Sequence, residues 1–250
     1  GEDHSWHPNE CLVFYNEANP KHSVMTVYNS CSNNCLVANS FGKDAMWGVK
    51  PRNREQTLAA NLLMDPKIPV VTLVGKAGSG KTLLALAAGL QQTFGIDSLY
   101  KKLLVTKPVE PVGKDIGFLP GTLEEKMLPW LAPIQDNLQF LLGDDRMTLD
   151  MYIQEGKIEV EAMTYIRGRS ISNAFIIIDE AQNINQHEIK TILTRVGEGT
   201  KIILTGDVEQ IDNVYVDEVN NGLSYVIEKF KSESLSGHIT LKKGERSQVA

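Results

Sequence analysis

Residues 75–82 read Gly75-Lys76-Ala77-Gly78-Ser79-Gly80-Lys81-Thr82, a complete G-x-x-x-x-G-K-[ST] phosphate loop. The β-branched run Ile68-Pro69-Val70-Val71-Thr72-Leu73-Val74 precedes it, and a Leu/Ala-rich stretch from Leu83 to Leu90 follows; these read as a strand and a helix. That context limits the chain to folds in which a helix N-terminus stands behind a glycine loop at a strand end. Backbone N–H groups from Gly78 to Lys81 then turn around a β-phosphate, with the helix adding its partial positive charge. Lys81 is placed to reach the β- and γ-oxygens, and Thr82 to set its hydroxyl on Mg²⁺. A glycine turn that merely starts a helix requires no such strand before it.

Ala174-Phe175-Ile176-Ile177-Ile178 has the pattern of a buried strand and ends in Asp179-Glu180-Ala181-Gln182, a Walker B arrangement. Asp179 is expected to hold Mg²⁺ and Glu180 to polarise a water toward the γ-phosphorus, so hydrolysis is favoured over phosphoryl transfer. Neighbours on a strand point to opposite faces, and the chain must therefore turn at Glu180 for both acids to face one site. A third apolar run, Lys201-Ile202-Ile203-Leu204-Thr205, leads into Gly206-Asp207-Val208-Glu209-Gln210. The neutral amide of Gln210 can accept from a water and donate to a γ-phosphate, as a sensor of ATP against ADP should.

With these motifs in place the chain resembles the PhoH-type P-loop ATPases, and specifically the ATPase half of the PIN-linked PhoH proteins. The resemblance also rests on Lys50-Pro51-Arg52-Asn53-Arg54-Glu55-Gln56, Val105-Thr106-Lys107-Pro108, Gly117-Phe118-Leu119-Pro120-Gly121, Tyr165-Ile166-Arg167-Gly168-Arg169, Leu193-Thr194-Arg195 and Gly244-Glu245-Arg246-Ser247. It spans roughly residues 48–250, and the family is similar to the superfamily 1 helicases. The resemblance implies ATP hydrolysis coupled to RNA binding or unwinding. It also implies a PIN nuclease domain upstream. No spaced set of four acids with a PIN fold's strands occurs before Lys50, so that domain is expected outside this chain. Lys107 stands where the family usually has Arg; it keeps the charge but loses the planar fork needed for bidentate phosphate contact.

The 250 residues, 42% hydrophobic and 22% charged, suffice for one α/β core with a small appendage. No run of 18 or more apolar residues occurs and the start Gly1-Glu2-Asp3-His4 is no signal peptide, so a soluble, cytoplasmic protein with no membrane contact is expected. From Lys50 onward strands and helices alternate, predicting a RecA-like P-loop fold with a mostly parallel sheet. Helices are expected at 54–64, 81–94, 124–142, 186–195 and 222–230, and the Gln210 strand between the other two motif strands. Residues 1–47 differ. Short apolar runs at Cys11–Tyr15, Val24–Tyr28 and Cys35–Val37, split by Asn-rich turns, predict a three-stranded β module preceding an ATPase domain at 48–250. Cys11, Cys31 and Cys35, with His4, His7 or His22, make a possible Cys₃His zinc set, the alternative being strand cysteines that pack as core.

Gln56 is the candidate for reading the adenine N6 and N7 edge, with a simple surface helix start as the alternative. A net charge of −6 gives no global attraction for a polyanion, so local residues must bind RNA. The candidates are Thr106, Lys107, Lys114 and Phe118, with Lys101 and Lys102 around the same strand. Two functional classes follow: an RNA-directed ATPase motor, or an ATP-dependent regulatory or assembly switch without helicase activity. A superfamily 1 helicase closes its site with an arginine from a second core, whereas residues 48–250 have length for one. The resemblance therefore favours a homo-oligomeric, hexameric ring in which Arg195 or Arg246, more than Arg167 or Arg169, completes a neighbour's site.

Overall fold

A computed structural model describes residues 5–108, 123–166, 168–213, 216–217 and 220–244. The N-terminal segment forms an antiparallel sheet of β1 (Cys11–Asn16), β2 (Asn19–Asn29) and β3 (Asn34–Val37), in that order, the three-stranded unit expected. Then follow α1 (Arg54–Met64), β4 (Val70–Gly75), α2 (Lys81–Phe94), β5 (Lys102–Lys107) and α3 (Leu123–Leu141). After these come α4 (Arg146–Gln154), β6 (Ile158–Ala162), α5 (Met163–Ile166), β7 (Ala174–Ile178), α6 (Gln186–Leu193), β8 (Lys201–Gly206), α7 (Gly222–Phe230) and β9 (Ser236–Leu241).

Strands β4 to β9 make one parallel sheet of order β6-β5-β7-β8-β4-β9. β8, the strand that leads to Gln210, lies between β7 and β4, as expected of a RecA-like sheet. Alternation along each strand divides the interior into two layers. Leu73, Val105, Phe175, Ile177 and Ile203 face the side covered by α1, α2, α3 and α4. Val70, Leu104, Ile176, Ile178 and Leu204 face α6 and α7. Both faces are covered, which is why these strands read as continuous apolar runs.

The sequence reading missed α4 and α5. In α4 only Leu149 is buried, so no apolar stripe signals it; its start is set by Asp145, whose carboxylate accepts from Met147 N at 3.0 Å. Lys201, read as an ordinary strand residue, is wholly buried. Its Nζ donates to the carbonyls of Leu62 (2.9 Å), Asp65 (2.7 Å) and Ile68 (2.7 Å). Desolvation pushes this ammonium's pKa down to about 7, and the three carbonyls offset that cost while pinning the end of α1 and the link into β4 to the start of β8.

The small sheet packs Cys11, Val13, Met25 and Val27 against the core shared with α1. Its register separates the cysteines. Cys11 stands opposite Val27 and Val27 opposite Leu36, while Cys35 stands opposite Tyr28, so Cys11 and Cys35 project to opposite faces. Burial raises the Cys11 thiol to about 12, far from a metal-binding thiolate. Among the described residues no three His, Cys, Asp or Glu side chains gather as a metal site; His4 lies outside them. Cys11 is partly buried and packs against the core, and the described residues hold no Cys₃His set.

Candidate nucleotide site

The site forms where β4, β7 and β8 end side by side, at the carboxyl edge of the sheet. The phosphate loop leaves β4 at Gly75 and re-enters helix at Lys81. Gly78 and Gly80 have φ of 82° and 88°, the left-handed region that glycine adopts without strain. Gly80 is doubly constrained, because a Cβ there would meet Gln56 Nε2 at 2.9 Å. Lys81 is buried and its Nζ donates to the Lys76 carbonyl at 3.4 Å. The Ser79 hydroxyl is buried without a partner. Ala77 and the Lys76 side chain are exposed at the loop's tip, where the Lys76 ammonium pairs with Glu209 at 2.9 Å.

Asp179 ends β7 and is the junction of the site. Its Oδ1 accepts from Thr82 Oγ1 at 2.9 Å and from Thr205 Oγ1 at 2.5 Å, joining the first turn of α2, β7 and β8 at one oxygen. Glu180 follows with φ 55° and ψ 38°, a left-handed turn that costs a non-glycine residue about 1–2 kcal/mol. That turn allows consecutive acids to serve one site where a regular strand would send them apart.

Gln182 holds the second acid in place. Its wholly buried amide donates to Glu180 Oε2 at 2.6 Å and to the Gln210 carbonyl at 2.9 Å, and accepts from Asp207 N at 3.1 Å. Both amide hydrogens and one lone pair are thereby used. Gly206 leaves the room: a Cβ there would stand 2.5 Å from Gln182 Oε1 and 2.7 Å from Leu223 Cδ2. Asn183 adds a further tie, accepting from Asp212 N at 2.9 Å. Asn185 then starts α6 with a capping box to Glu188. Thr205 and Gln182 were both missed from sequence, although each lies inside a quoted motif; only the packing of β8 beside β7 gives them partners.

Gln56 lies 5% exposed rather than on a surface helix start. Asn53 caps α1 by accepting from Gln56 N at 2.9 Å. The Gln56 amide accepts from Arg52 N at 2.8 Å and donates to the Ser79 carbonyl at 3.0 Å, so it clamps the phosphate loop and keeps one lone pair and one hydrogen for a ligand. Beside it a groove of about 690 Å³ is lined by Lys50, Pro51, Arg52, Gly78, Gly80 and Phe140 among others.

The nucleic-acid candidates scatter. Thr106 is wholly buried, its carbonyl accepting from Asp179 N at 2.9 Å, so it presents no surface to a polynucleotide and instead supports the Walker B turn. Lys101 and Lys102 fall at the amino end of β5 and Lys107 at its carboxyl end, because a strand separates its two ends. Lys102 is also engaged by Glu159 at 2.7 Å. Lys114, Phe118, Arg167 and Arg246 lie outside the described residues. Arg169 pairs with Glu159 and Glu161, each at 3.1 Å. Arg195 is exposed, and its carbonyl accepts from Ile171 N at 3.0 Å, which places it at the amino edge of the sheet. The five residues of β7, at about 3.3 Å each or roughly 17 Å along the strand, separate that edge from Asp179.

Residues 48–249 match the family described as PhoH-like protein. The chain belongs to the PhoH-like family. Protein PhoH2 of Bacillus subtilis (strain 168) is 52% identical over all of this PhoH-like chain and 56% of its own length. Protein PhoH2 of Mycolicibacterium smegmatis is 40% identical over 84% of the chain and 47% of its own length. The chain thus spans about half the length of these relatives. Among solved structures, the Pif1 helicase from Candida albicans aligns over 79% of this chain and 41% of its own, at 16% identity and a TM-score of 0.38.

If Gln182 orients Glu180, Gln182→Leu should lower nucleoside-triphosphate turnover on the order of tenfold while nucleotide affinity stays within about twofold. Steady-state kinetics beside a direct binding titration measure both; equal losses in the two would mean that the substitution collapses the pocket.

Proposed function

We propose that this chain hydrolyses ATP with Mg²⁺ and couples that hydrolysis to RNA binding or unwinding in the cytoplasm. The shared oxygen of Asp179 carries the first half of this reading. It gathers the Thr82 hydroxyl and a carboxylate, hard oxygen donors that suit Mg²⁺, at the mouth of a complete phosphate loop. Thr82 and Asp179 would hold the ion, which when bound neutralises phosphate charge. Lys81 and the N–H groups at the start of α2 bind the triphosphate. Glu180 accepts the proton of the attacking water, and Gln182 keeps its carboxylate aimed. Gln210, exposed at the end of the loop that Gln182 anchors, orients water against the γ-phosphate. Glu180→Gln should retain ATP affinity and lose roughly 10²-fold or more in turnover, whereas Lys81→Ala should lose binding. Near-normal hydrolysis by Glu180→Gln would remove that residue from the mechanism.

RNA as the partner is favoured by family membership and by Lys107 at the carboxyl end of β5, on the same edge as the nucleotide site. Lys107→Glu combined with Lys114→Glu should weaken RNA binding and flatten its dependence on salt while basal hydrolysis survives. An unchanged salt slope would exclude this surface. RNA-stimulated turnover separates a motor from an ATP-driven switch: a switch would hydrolyse at the same rate with and without single-stranded RNA.

The working unit in this reading is a head-to-tail ring of six chains. Arg195 supports it, being exposed on the sheet edge opposite its own phosphate loop, so a cyclic arrangement can present it to the next subunit; Arg246 is the second candidate. An arginine supplied in trans is worth about 10³-fold or more in rate. Mixing a Glu180→Gln subunit, which still donates arginine, with an Arg195→Ala subunit should restore activity. Full activity from a strictly monomeric sample would rule the ring out. A PIN nuclease domain preceding residue 1 in the whole protein completes the proposal.

A further inference from the structure

The groove beside the phosphate loop contains an aromatic side chain that the core does not use. Among the described side chains of α3, Leu131, Ile134 and Leu138 are buried, a stripe at helical spacing that faces the core. Phe140 comes two residues after Leu138, about 200° further round the helix, and is 60% exposed. It does not face open solvent alone: it forms one wall of the same 690 Å³ groove whose other lining includes Gln56, Gly78, Gly80, Val49 and Pro51. The end of α3 is fastened there. Trp47 Nε1 donates to the Leu141 carbonyl at 3.1 Å, and Trp47 N donates to Gln91 Oε1 of α2 at 3.1 Å, so Phe140 is held at a set distance from the helix that starts at the phosphate loop. Lys50 and Arg52 stand exposed on the rim.

We propose that Phe140 is the stacking face for the base of the bound nucleotide, with Pro51 and Val49 across the groove and Gln56 at its inner edge, and that this slot makes the site selective for purines. The inference rests on the nucleotide reading above and adds a specificity-determining residue to it. An apolar wall of this kind covers one π-face of a base, and a purine, with two fused rings, gains more from it than a pyrimidine. The amide of Gln56 retains one acceptor and one donor, which match N6–H and N7 of adenine; guanine would set its O6 acceptor against the same amide oxygen.

The test compares equilibrium binding of ATP, CTP and inorganic tripolyphosphate to the wild-type chain, Phe140→Ala and Phe140→Trp, by displacement of a fluorescent ATP analogue. Tripolyphosphate fills the phosphate loop without a base, so it reports on the integrity of the loop alone. Phe140→Ala should weaken ATP on the order of tenfold, and tripolyphosphate by no more than about twofold, with the ATP-over-CTP preference reduced. Phe140→Trp should restore ATP affinity and the preference. Unchanged ATP affinity in Phe140→Ala, parallel weakening of ATP and tripolyphosphate, or failure of the tryptophan to restore binding would each overturn the proposal. A wild-type chain that binds neither ligand would instead overturn the nucleotide reading, and the stacking role with it.

Discussion

The structure turns on one carboxylate oxygen. Asp179 Oδ1 accepts from Thr82 and from Thr205, so three chain segments far apart in sequence meet at one buried point. Each hydrogen bond to a charged group is worth about 1.5–3 kcal/mol, yet the larger effect is geometric. The joint sets how far the end of β8 and the start of α2 lie from the acid that ends β7. Without it the phosphate loop, the acids and the Asp207–Gln210 loop would be three neighbouring features with no common frame.

A second tier of contacts depends on that joint. The Gln182 amide connects the Glu180 carboxylate to both ends of the Asp207–Gln210 loop, and Gly206 is the space in which it lies. In the proposed hydrolysis, a shift of Gln210 would be passed through this amide to the residue that holds Glu180. Glu180 and the Asp207–Gln210 loop thus share one physical element, a buried amide, rather than standing as two independent features. Gln56 does the same on the other side of the loop, joining the segment before α1 to the Ser79 carbonyl. The exposed Lys76–Glu209 pair joins the phosphate loop to the Asp207–Gln210 loop from the solvent side, where screening leaves it little energetic weight.

Much of this was legible beforehand. Strand and helix positions in the parallel sheet follow from apolar runs bounded by motif residues, and Gly78, Lys81, Thr82, Asp179 and Glu180 announce themselves because phosphate and metal chemistry admits few substitutes. Elements without a buried stripe, such as α4, escaped. The RNA candidates were grouped by sequence proximity, which a strand undoes: Lys101 and Lys107 sit at its opposite ends, and Thr106 between them points into the protein.

The sequence by itself determined the phosphate loop, the paired acids and the order of strands and helices, since each depends on residue type and local spacing. Tertiary structure alone decided which side chains complete them. Thr205, Gln182, Lys201 and Phe140 are ordinary residues in the linear text. Thr205 acquires its role because β8 packs beside β7, Gln182 because Gly206 leaves it room, Lys201 because three carbonyls converge on it, and Phe140 because the end of α3, tied to Trp47 at Leu141, lies at the groove beside the phosphate loop. Partners distant in sequence meet only when the sheet closes, and a hydrogen bond or an apolar wall exists only between groups so brought together.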